Sequence, residues 1–331
     1  MNPIVRCTSR VRRRQFLAAL AALVGGGIVH AQPKRKPARI GLLSISRSET
    51  EAVETLKPFI DGMRDRGYRL GEDFIFEIRV SGGDPQRFPA LAEELVALKP
   101  DIFIAFETNG RALAAKTTDI PIVLLNSIDP VAAGLVKSLA RPGTNVTGMS
   151  GQGDALTAKQ VELLVEAVPT ATSIAMLIDP LWSNRESYVR YAQSAAEAKH
   201  LSLTIIHVQE VDDVKRAFMQ FEKQRPGGLL VGSGGRTWTL RETIREGVVR
   251  LRLPVIGHPA FGSLASYRIS DSATWYEAAE FVDRILKGAR PADLPVRQAT
   301  KIELVVNLKV AREFGIKVPQ SILLRVDREI E

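Results

Sequence analysis

The feature that most constrains the fold is a repeated alternation of short apolar segments with amphipathic segments between residues 39 and 257. Short runs rich in branched residues predict strands buried on both faces, and the stretches between them have the apolar spacing of helices. The predicted strands are 40–43, 74–80, 102–106 and 122–125, then 174–178, 203–208, 229–231 and 255–257. This alternation predicts an α/β protein with parallel sheets covered by helices on both faces.

The alternation occurs twice, with a break near Gly151, which predicts two doubly wound, Rossmann-like lobes joined by a hinge. A chain of 331 residues is long enough for two cores of ordinary size. We assign residues 39–149 to an N-terminal lobe and residues 150–262 to a C-terminal lobe. Because ligands of such sheets bind beyond the carboxyl ends of the strands, the sequence also predicts a ligand cleft between the lobes.

The segment 121–149 illustrates the pattern. A strand at 122–125 is followed by Asp129 and Pro130, a pair that is typical of a helix start because Asp caps free N–H groups and Pro is tolerated in the first turn. The sequence therefore predicts a helix over 131–140, which Pro142 would end. Residues 145–149, which follow this predicted helix, are predicted to be extended. A polar loop between a strand and a helix N-terminus is a place where an anion can bind.

The first 31 residues have the features of an export signal. A basic region precedes an apolar stretch at 16–29, and Val29-His30-Ala31 forms a small-residue cleavage site. The apolar stretch of 14 residues is short for a membrane-spanning helix, which needs about 20. Arg13 and Arg14 before Gln15-Phe16-Leu17 fit a twin-arginine signal. An ordinary secretory signal remains an alternative, and an uncleaved anchor is a third interpretation without positive support.

Removal of this leader has consequences for charge and for cysteine chemistry. The leader contains five arginines and no acid, so the formal net charge falls from +8 to +3 without it. The basic charge is therefore poor support for a nucleic-acid partner. Cys7 is the only cysteine and precedes the apolar stretch, so it cannot carry a lipid and the exported chain has no disulfide. Residues 32–38 are interpreted as a charged tether.

Polar and aromatic side chains cluster where the predicted strands end, and these are the candidate ligand-binding residues. Those of the first lobe are Ser44, Ser46, Phe106, Glu107, Thr108, Asn109, Asn126, Ser127 and Asp129. Those of the second half of the chain are Asp179, Trp182, Asn184, Gly232, Ser233, His258 and Tyr267. Two lobes that face each other would bring these groups to one cleft, which can close on a ligand and exclude water.

Each candidate also has a structural alternative. Asp129 precedes a proline, which favours a helix cap, and Ser44 and Ser46 are equally suited to turning the chain. Glu107 can pair with a ligand amine or lie in solvent. Trp182 follows a strand in a loop, where either ligand contact or packing is possible, whereas Trp238 and Trp275 are interpreted as packing residues.

Sequence motifs for catalysis are absent. The chain has no G-x-x-x-x-G-K-[ST] run, no G-x-S-x-G elbow and no H-E-x-x-H pair, and the glycines at 232, 234 and 235 do not complete a dinucleotide fingerprint. Four histidines, one of them in the leader, and a single cysteine that also lies there argue against a metal site with soft ligands. The sequence therefore predicts a binding protein with no catalytic residues, no metal and no cofactor.

Several longer segments resemble a known family. They are PIVLLNSIDPVAAGLVKSLARPGTNVTG at 121–148, FIDGMRDRGY at 59–68, PALAEELVALKPDI at 89–102, ILKGARPADLPV at 285–296 and ELVVNLKVAREFGIKVP at 303–319. Together they resemble substrate-binding proteins of ABC transporters, of the type associated with tryptophan or tyrosine transport. The resemblance runs from about Ile40 to the C-terminus. It implies the type I periplasmic-binding-protein fold, in which the chain crosses between the lobes more than once.

On that resemblance, residues 263–297, including Tyr267, return to the N-terminal lobe, and residues 298–331 belong with the C-terminal lobe. The family also implies a periplasmic monomer that captures a small solute for an ABC permease and its ATPase. The implied solute is an amino acid or a related small carboxylate, with aromatic amino acids included. Its contact with the membrane would be only through the permease, with no nucleic-acid partner. An exported sensor subunit for a membrane receptor is the main alternative, since both use the same lobes. An α/β enzyme and a DNA-binding repressor are less favoured by the residues.

The chain departs from the family in two places. Glu107-Thr108-Asn109 stands where the family usually has a Gly-Thr-Pro-like turn. Arg268 ends the segment 262–268, where the family has a Gly-Leu-Met-Ser-Tyr-Gly-like sequence, and it either adds a cation to the cleft or lies on the surface. Both departures concern residues expected near the ligand.

Overall fold

The computed structural model describes residues 36–331, except residues 152, 183 and 233 and the side chain of residue 154. The predicted export signal and most of the tether lie outside the described residues. The strands are β1 (Ala38–Ser44), β2 (Phe74–Val80), β3 (Ile102–Ala105), β4 (Ile122–Leu124), β5 (Val146–Ser150), β6 (Ser173–Ile178), β7 (Ser202–His207), β8 (Leu229–Val231), β9 (Val255–Ile256), β10 (Ala265–Ile269), β11 (Arg297–Gln298), β12 (Ile302–Asn307) and β13 (Arg328–Ile330).

The helices alternate with these strands. They are α1 (Glu49–Thr55), α2 (Lys57–Asp65), α3 (Phe88–Ala97), α4 (Glu107–Ala114), α5 (Gly153–Ala167), α6 (Arg185–Ala198), α7 (Val211–Gln224), α8 (Gly235–Thr239), α9 (Arg241–Leu251), α10 (Asp271–Leu286), α11 (Leu308–Phe314) and α12 (Gln320–Leu323). Short 3-10 turns occur at Pro85–Arg87, Pro259–Phe261 and Pro291–Asp293. No helix in the described part of the chain has the length and apolar character needed to cross a bilayer.

The strands form two sheets, which confirms the predicted α/β class with two lobes. The first sheet has the order β11-β5-β4-β3-β1-β2, and all its pairs are parallel. The second has the order β13-β12-β10-β9-β8-β6-β7, and among its described strands only the β10–β12 pair is antiparallel. Strands β3 and β4 are buried along their whole length, because helices cover both faces of the sheet.

Each lobe has apolar clusters on both faces of its sheet. In the first lobe, Phe59, Phe74 and Phe281 lie on one face, and Leu95 and Phe103 lie on the other. The second lobe repeats this arrangement, with Leu164 and Met176 in one cluster and Phe218, Phe221 and Ile244 in the other. Burial of this apolar surface on both sides of each sheet is what makes each lobe a separate core.

Within residues 36–331 the described chain crosses between the sheets three times: after β5, between β10 and α10, and between β11 and β12. Helix α10 packs tightly on α2, where a Cβ added at Gly62 would lie 2.7 Å from the carbonyl oxygen of Tyr276. The expectation that Tyr267 returns to the first lobe is wrong. Tyr267 lies in β10, which pairs with β9 and β12 of the second sheet, and the return begins only at α10.

The helix predicted over 131–140 is also not formed; the segment is a series of turns. One helical turn starts after Asp129, where Ala133 N donates to the Asp129 carbonyl at 2.9 Å. Gly134 then adopts φ +70, and Lys137 N donates to the carbonyl of Pro142 at 2.8 Å. Because the positive φ at Gly134 and this hydrogen bond reverse the direction of the chain, the helix does not extend beyond its first turn.

The two lobes contact each other directly at the edge of the cleft away from the crossings. Thr239 Oγ1 of the second lobe donates to the carbonyl oxygen of Gly83 in the first. Arg241 lies 3.8 Å from a Glu51 carboxylate oxygen, and its guanidinium lies 4.7 Å from the Trp238 ring centroid. In the described conformation the two lobes therefore touch each other at this edge of the cleft.

Candidate ligand-binding site between the lobes

A cavity of about 190 Å³ lies between the lobes at the carboxyl ends of the strands. Strands β3 and β4 lead into its first-lobe wall, and strands β6, β8, β9 and β10 lead into its second-lobe wall. The lining residues are Phe106, Glu107, Thr108, Asn126, Ile128, Gly151, Gly153, Leu156, Thr157, Gln160, Trp182, Asn184, Tyr188, Val231, Gly257, His258, Arg268 and Ile269. The cavity thus combines polar groups of both lobes with aromatic rings.

Three helices begin at this cavity. Helix α4 begins at Glu107, α5 begins at Gly153, and the N-cap residue of α6 is Asn184. Neither α4 nor α6 has a side chain that caps its first N–H groups. Helix N-termini carry partial positive charge and free N–H donors, so this side of the cavity suits an anionic group such as a carboxylate.

Glu107 is the central polar residue of the cavity. Its side chain is buried, with 5% exposure, and its Oε2 accepts hydrogen bonds from Ser127 Oγ at 2.5 Å and from Ile128 N at 3.2 Å. A third donor, Asn184 Nδ2, reaches the same oxygen from the second lobe at 2.5 Å. Glu107 therefore joins the two walls of the cavity through a charge-assisted hydrogen bond.

Asn126 presents a second acceptor close by. Its Oδ1 atom is fully buried and has no hydrogen-bond partner among the residues that the structure describes. A Cβ added at Gly151 would lie 3.2 Å from this oxygen, so glycine at the crossing keeps the space beside it open. A buried acceptor without a donor costs free energy unless a ligand or water supplies one.

Aromatic rings form much of the remaining wall. Trp182 and Tyr188 pack edge to face, with ring centroids 5.5 Å apart. Phe106 packs in the same way on Trp275 at 5.9 Å, yet it keeps 39% exposure because its other side faces the cleft. Burial raises the pKa of the Tyr188 hydroxyl, which therefore stays protonated. Such walls suit a planar apolar group.

His258 lies after β9 at the aromatic part of the lining. Its Nδ1 accepts a hydrogen bond from Ala260 N at 3.0 Å, and its ring packs against Trp238 with centroids 4.9 Å apart. Burial, and secondarily the positive charge of Arg268, lower the pKa of His258 to about 4. Arg268 itself is held by Asp271 through two hydrogen bonds of 2.8 and 2.6 Å. The imidazole is therefore neutral near pH 7.

This lowered pKa predicts a loss of stability in acid. Below pH 6.5 the unfolded chain binds a proton on His258, whereas the folded protein does so only near pH 4. The free energy of unfolding should therefore fall as the pH is lowered from about 6.5 to about 4, by at most about 3 kcal/mol. Urea unfolding at pH 7, 5.5 and 4.5 should show a smaller fall for His258→Asn, which keeps an acceptor for Ala260 N. His207→Gln, at an exposed position, is the matched control; equal falls in wild type and His258→Asn would contradict the prediction.

The cavity brings together seven of the residues proposed from the sequence: Phe106, Glu107, Thr108, Asn126, Trp182, Asn184 and His258. Ser127 lies just behind them and supports Glu107. Ser233 lies outside the described residues. Candidate residues from the strand ends of both lobes therefore line the same cavity, as the two-lobed interpretation requires.

Other proposed residues do not line the cavity, and their side chains hydrogen-bond to other groups of the protein. Ser44 and Ser46 hydrogen-bond to each other at 2.9 Å, and Asn109 Nδ2 donates to the Leu43 carbonyl. Asp129 accepts from Val131 N at 3.1 Å and Ala132 N at 2.9 Å, which is the capping role. Asp179 accepts from Leu181 N and Arg236 N, both at 2.8 Å.

Gly232 and Tyr267 have supporting positions. A Cβ at Gly232 would lie 3.6 Å from the Trp182 ring, which is an ordinary contact distance and places Gly232 directly behind that ring. The Tyr267 carbonyl accepts a hydrogen bond from Gln160 Nε2 at 2.9 Å, while its side chain packs on the core of the second lobe. Both residues shape the wall from behind.

Several lining residues were not among the sequence-based candidates, notably Gln160, Tyr188 and Arg268. Gln160 and Tyr188 lie inside helices α5 and α6, with Tyr188 Oη 3.3 Å from Gln160 Oε1. A rule based on strand ends cannot find residues in helices. Arg268 is at the end of β10, and the sequence signal for it was its departure from the family pattern.

Comparison with known proteins gives consistent matches. Residues 48–330 match a family model described as ABC transporter substrate binding protein. A tyrosine-binding protein of Clostridioides difficile strain R20291 is 26% identical over 257 residues, which are 76% of this chain and 73% of that protein. The structure of an ABC domain in complex with L-Trp from Streptococcus pneumoniae is 26% identical, with a TM-score of 0.81, and the match covers 89% of this chain and 100% of that one.

A more distant match concerns the fold alone. The structure of a glucose-galactose binding protein from Geobacillus stearothermophilus is 12% identical with a TM-score of 0.60, covering 82% of this chain and 98% of that one. The two-lobed architecture is therefore similar in proteins whose names indicate quite different ligands.

Proposed function

Because the chain belongs to the ABC transporter substrate-binding protein family, we propose that it captures an amino acid with an aromatic side chain between its lobes and delivers it to a membrane permease. The ligand leaves unchanged, and transport is driven by the ATPase partner of the permease. The observation that carries the proposal is the buried carboxylate of Glu107 in an interlobe cavity that also has helix N-termini and aromatic walls. These are the groups that an amino acid needs at its two charged ends and at its ring.

The ligand ammonium group is assigned to the acceptors of the first lobe. Glu107 and Asn126 follow neighbouring strands, and the Oδ1 atom of Asn126 has no donor among the described residues. An ammonium group carries three donors, so it can bond both side chains at once. A charge-assisted bond to a buried carboxylate is stronger than one between neutral groups.

The ligand carboxylate is assigned to the uncapped N-terminus of α4, beside the Thr108 hydroxyl, and to the nearby start of α5. Backbone N–H groups at a helix N-terminus bind anions without a positively charged side chain. This assignment leaves Arg268 with its partner Asp271. The ring of the ligand then lies against Phe106 and Trp182.

The two relatives support the ligand class, since one is called a tyrosine-binding protein and the other was solved with L-Trp. The export features of residues 1–31 support a periplasmic location. We propose that the chain acts there as a monomer, that its partners are the permease and the ATPase, and that it has no catalytic activity.

Ligand binding is tested by thermal unfolding of the full chain with each of the twenty standard amino acids and with small carboxylates. A ligand at 100 times its dissociation constant should raise the free energy of unfolding by about 2.7 kcal/mol. We expect this with aromatic L-amino acids and not with their D-enantiomers, because inversion exchanges the positions of the ammonium group and the ring. If no amino acid or small carboxylate stabilises the protein, the ligand class is wrong.

A further inference from the structure

The hydrogen bonding of His258 fixes which of its ring nitrogens carries the proton. Nδ1 accepts a hydrogen bond from the backbone N–H of Ala260 at 3.0 Å. An imidazole nitrogen that accepts a hydrogen bond has no proton of its own, so the proton of the neutral ring is on Nε2. His258 therefore offers one N–H donor from Nε2.

This donor has no acceptor within the described part of the protein. The side chain of His258 makes one hydrogen bond there, through Nδ1. His258 is among the residues that line the cavity, so a ligand there lies next to its imidazole. A ligand that supplies an acceptor at this point gains a hydrogen bond, and a ligand that does not leaves the N–H unpaired.

The surroundings of His258 indicate a ring rather than a carboxylate as its neighbour. Trp238 and Phe261 pack against the imidazole with centroids 4.9 and 6.3 Å away. Arg268, which also lines the cavity, is paired with Asp271 through two hydrogen bonds. The donors suited to a carboxylate are instead at the helix N-termini described above.

We propose that His258 is a specificity-determining residue whose Nε2–H donates to a hydrogen-bond acceptor on the far end of the ligand ring, as the phenol oxygen of a tyrosine-like ligand provides. The assignment rests on the proposed function. A benzene ring has no acceptor, and the indole N–H is a donor only, so both leave Nε2–H unpaired. His258 thus separates phenols from other aromatic amino acids.

The test is calorimetric titration of the full chain with L-tyrosine, L-phenylalanine and L-tryptophan. For wild type we expect L-tyrosine to bind about tenfold more tightly than L-phenylalanine, the range for one hydrogen bond in a buried site. His258→Phe should weaken L-tyrosine binding about tenfold more than L-phenylalanine binding. His258→Gln, whose amide can place a donor near the Nε2 position, should recover part of the preference.

If His258→Phe fails to fold, His258→Asn replaces it, because Asn keeps an acceptor for Ala260 N and removes the donor at Nε2. Equal binding of L-tyrosine and L-phenylalanine by wild type would overturn the assignment and leave the proposed function intact. So would equal weakening of both ligands by the variants, which would place the ligand carboxylate at His258. If no aromatic amino acid binds, the proposed function and this assignment fail together.

Discussion

Replacement of Glu107 by glutamine is expected to weaken binding of the amino-acid ligand about 100-fold or more. The substitution keeps an oxygen that can accept from Ser127 Oγ, Ile128 N and Asn184 Nδ2, which now donate to Glu107. It removes the negative charge of the carboxylate, which we propose binds the ligand ammonium group. Loss of one member of a buried hydrogen-bonded charge pair costs about 2–5 kcal/mol, and 100-fold corresponds to about 2.7 kcal/mol. Calorimetric titration of the variant measures the effect.

A ligand analogue identifies the cause. The matching 2-hydroxy acid has a hydroxyl group in place of the ammonium group and should bind the wild-type protein weakly. Glu107→Gln should lower the affinity for this hydroxy acid far less than it lowers the affinity for the amino acid. Glu54→Gln, at an exposed position on α1, is the control for loss of one carboxylate elsewhere in the first lobe. Equal weakening of the amino acid and the hydroxy acid would show that Glu107 supports the lobes without contacting the ammonium group.

The fold was largely predictable, because the pattern that encodes it is local. Strands such as β3 and β4 are short apolar runs, which is the pattern of parallel strands buried on both faces. The failure at 131–140 has the opposite cause. Asp129 and Pro130 start a helical turn as predicted, but Gly134 at φ +70 and a bond from Lys137 N to the Pro142 carbonyl reverse the chain. The conformation of residues 131–140 is therefore set by contacts that the helix signals at its start do not reveal.

The candidate site was predictable only where it depends on strand ends. Phe106, Glu107 and Thr108 follow β3 directly, so their position needs no more than the sheet. Asp129 and Asp179 also follow strands, but neighbouring backbone N–H groups take their carboxylates. Residues inside helices, such as Gln160 and Tyr188, reach the cavity through the packing of α5 on α6, which no local pattern encodes.

The placement of Tyr267 failed for a related reason. The family resemblance suggested the first lobe, and the sequence of β10, Ala-Ser-Tyr-Arg-Ile, does not itself indicate a lobe. Its pairing with β9 and β12 assigns it to the second sheet. Helix α10 does return to the first lobe, where Tyr276 Oη donates to Asp65 and Tyr68 Oη donates to Asp283, both at 2.9 Å. These contacts join residues more than 200 positions apart, a distance over which the sequence pattern carries no information.

Replacement of Gly148 by alanine is expected to destabilise the protein by more than about 4 kcal/mol, a size seen only when a substitution breaks the core or backbone. Gly148 lies in β5, paired with Leu124 of β4, and has φ +128. A Cβ there would lie 2.2 Å from the carbonyl oxygen of Leu124 and 2.5 Å from its nitrogen. Neither atom can move without breaking the central ladder. Since natural proteins are stable by about 5–15 kcal/mol, a loss of this size removes a large part of the free energy of unfolding and should lower the urea midpoint strongly.

Two other glycines separate the causes of this effect. Gly288 also has a positive φ, +99, but nothing lies within 4 Å of an added Cβ, so Gly288→Ala should cost only the backbone strain of about 1–2 kcal/mol. At Gly257 the nearest atom to a Cβ is 3.7 Å away, and Gly257→Ala should change the free energy of unfolding by less than about 1 kcal/mol. Urea unfolding of the three variants gives the comparison. A Gly148→Ala protein as stable as Gly288→Ala would mean that β4 and β5 are not packed as described, and the acceptors that follow β4 would then lose their assigned position in the cleft.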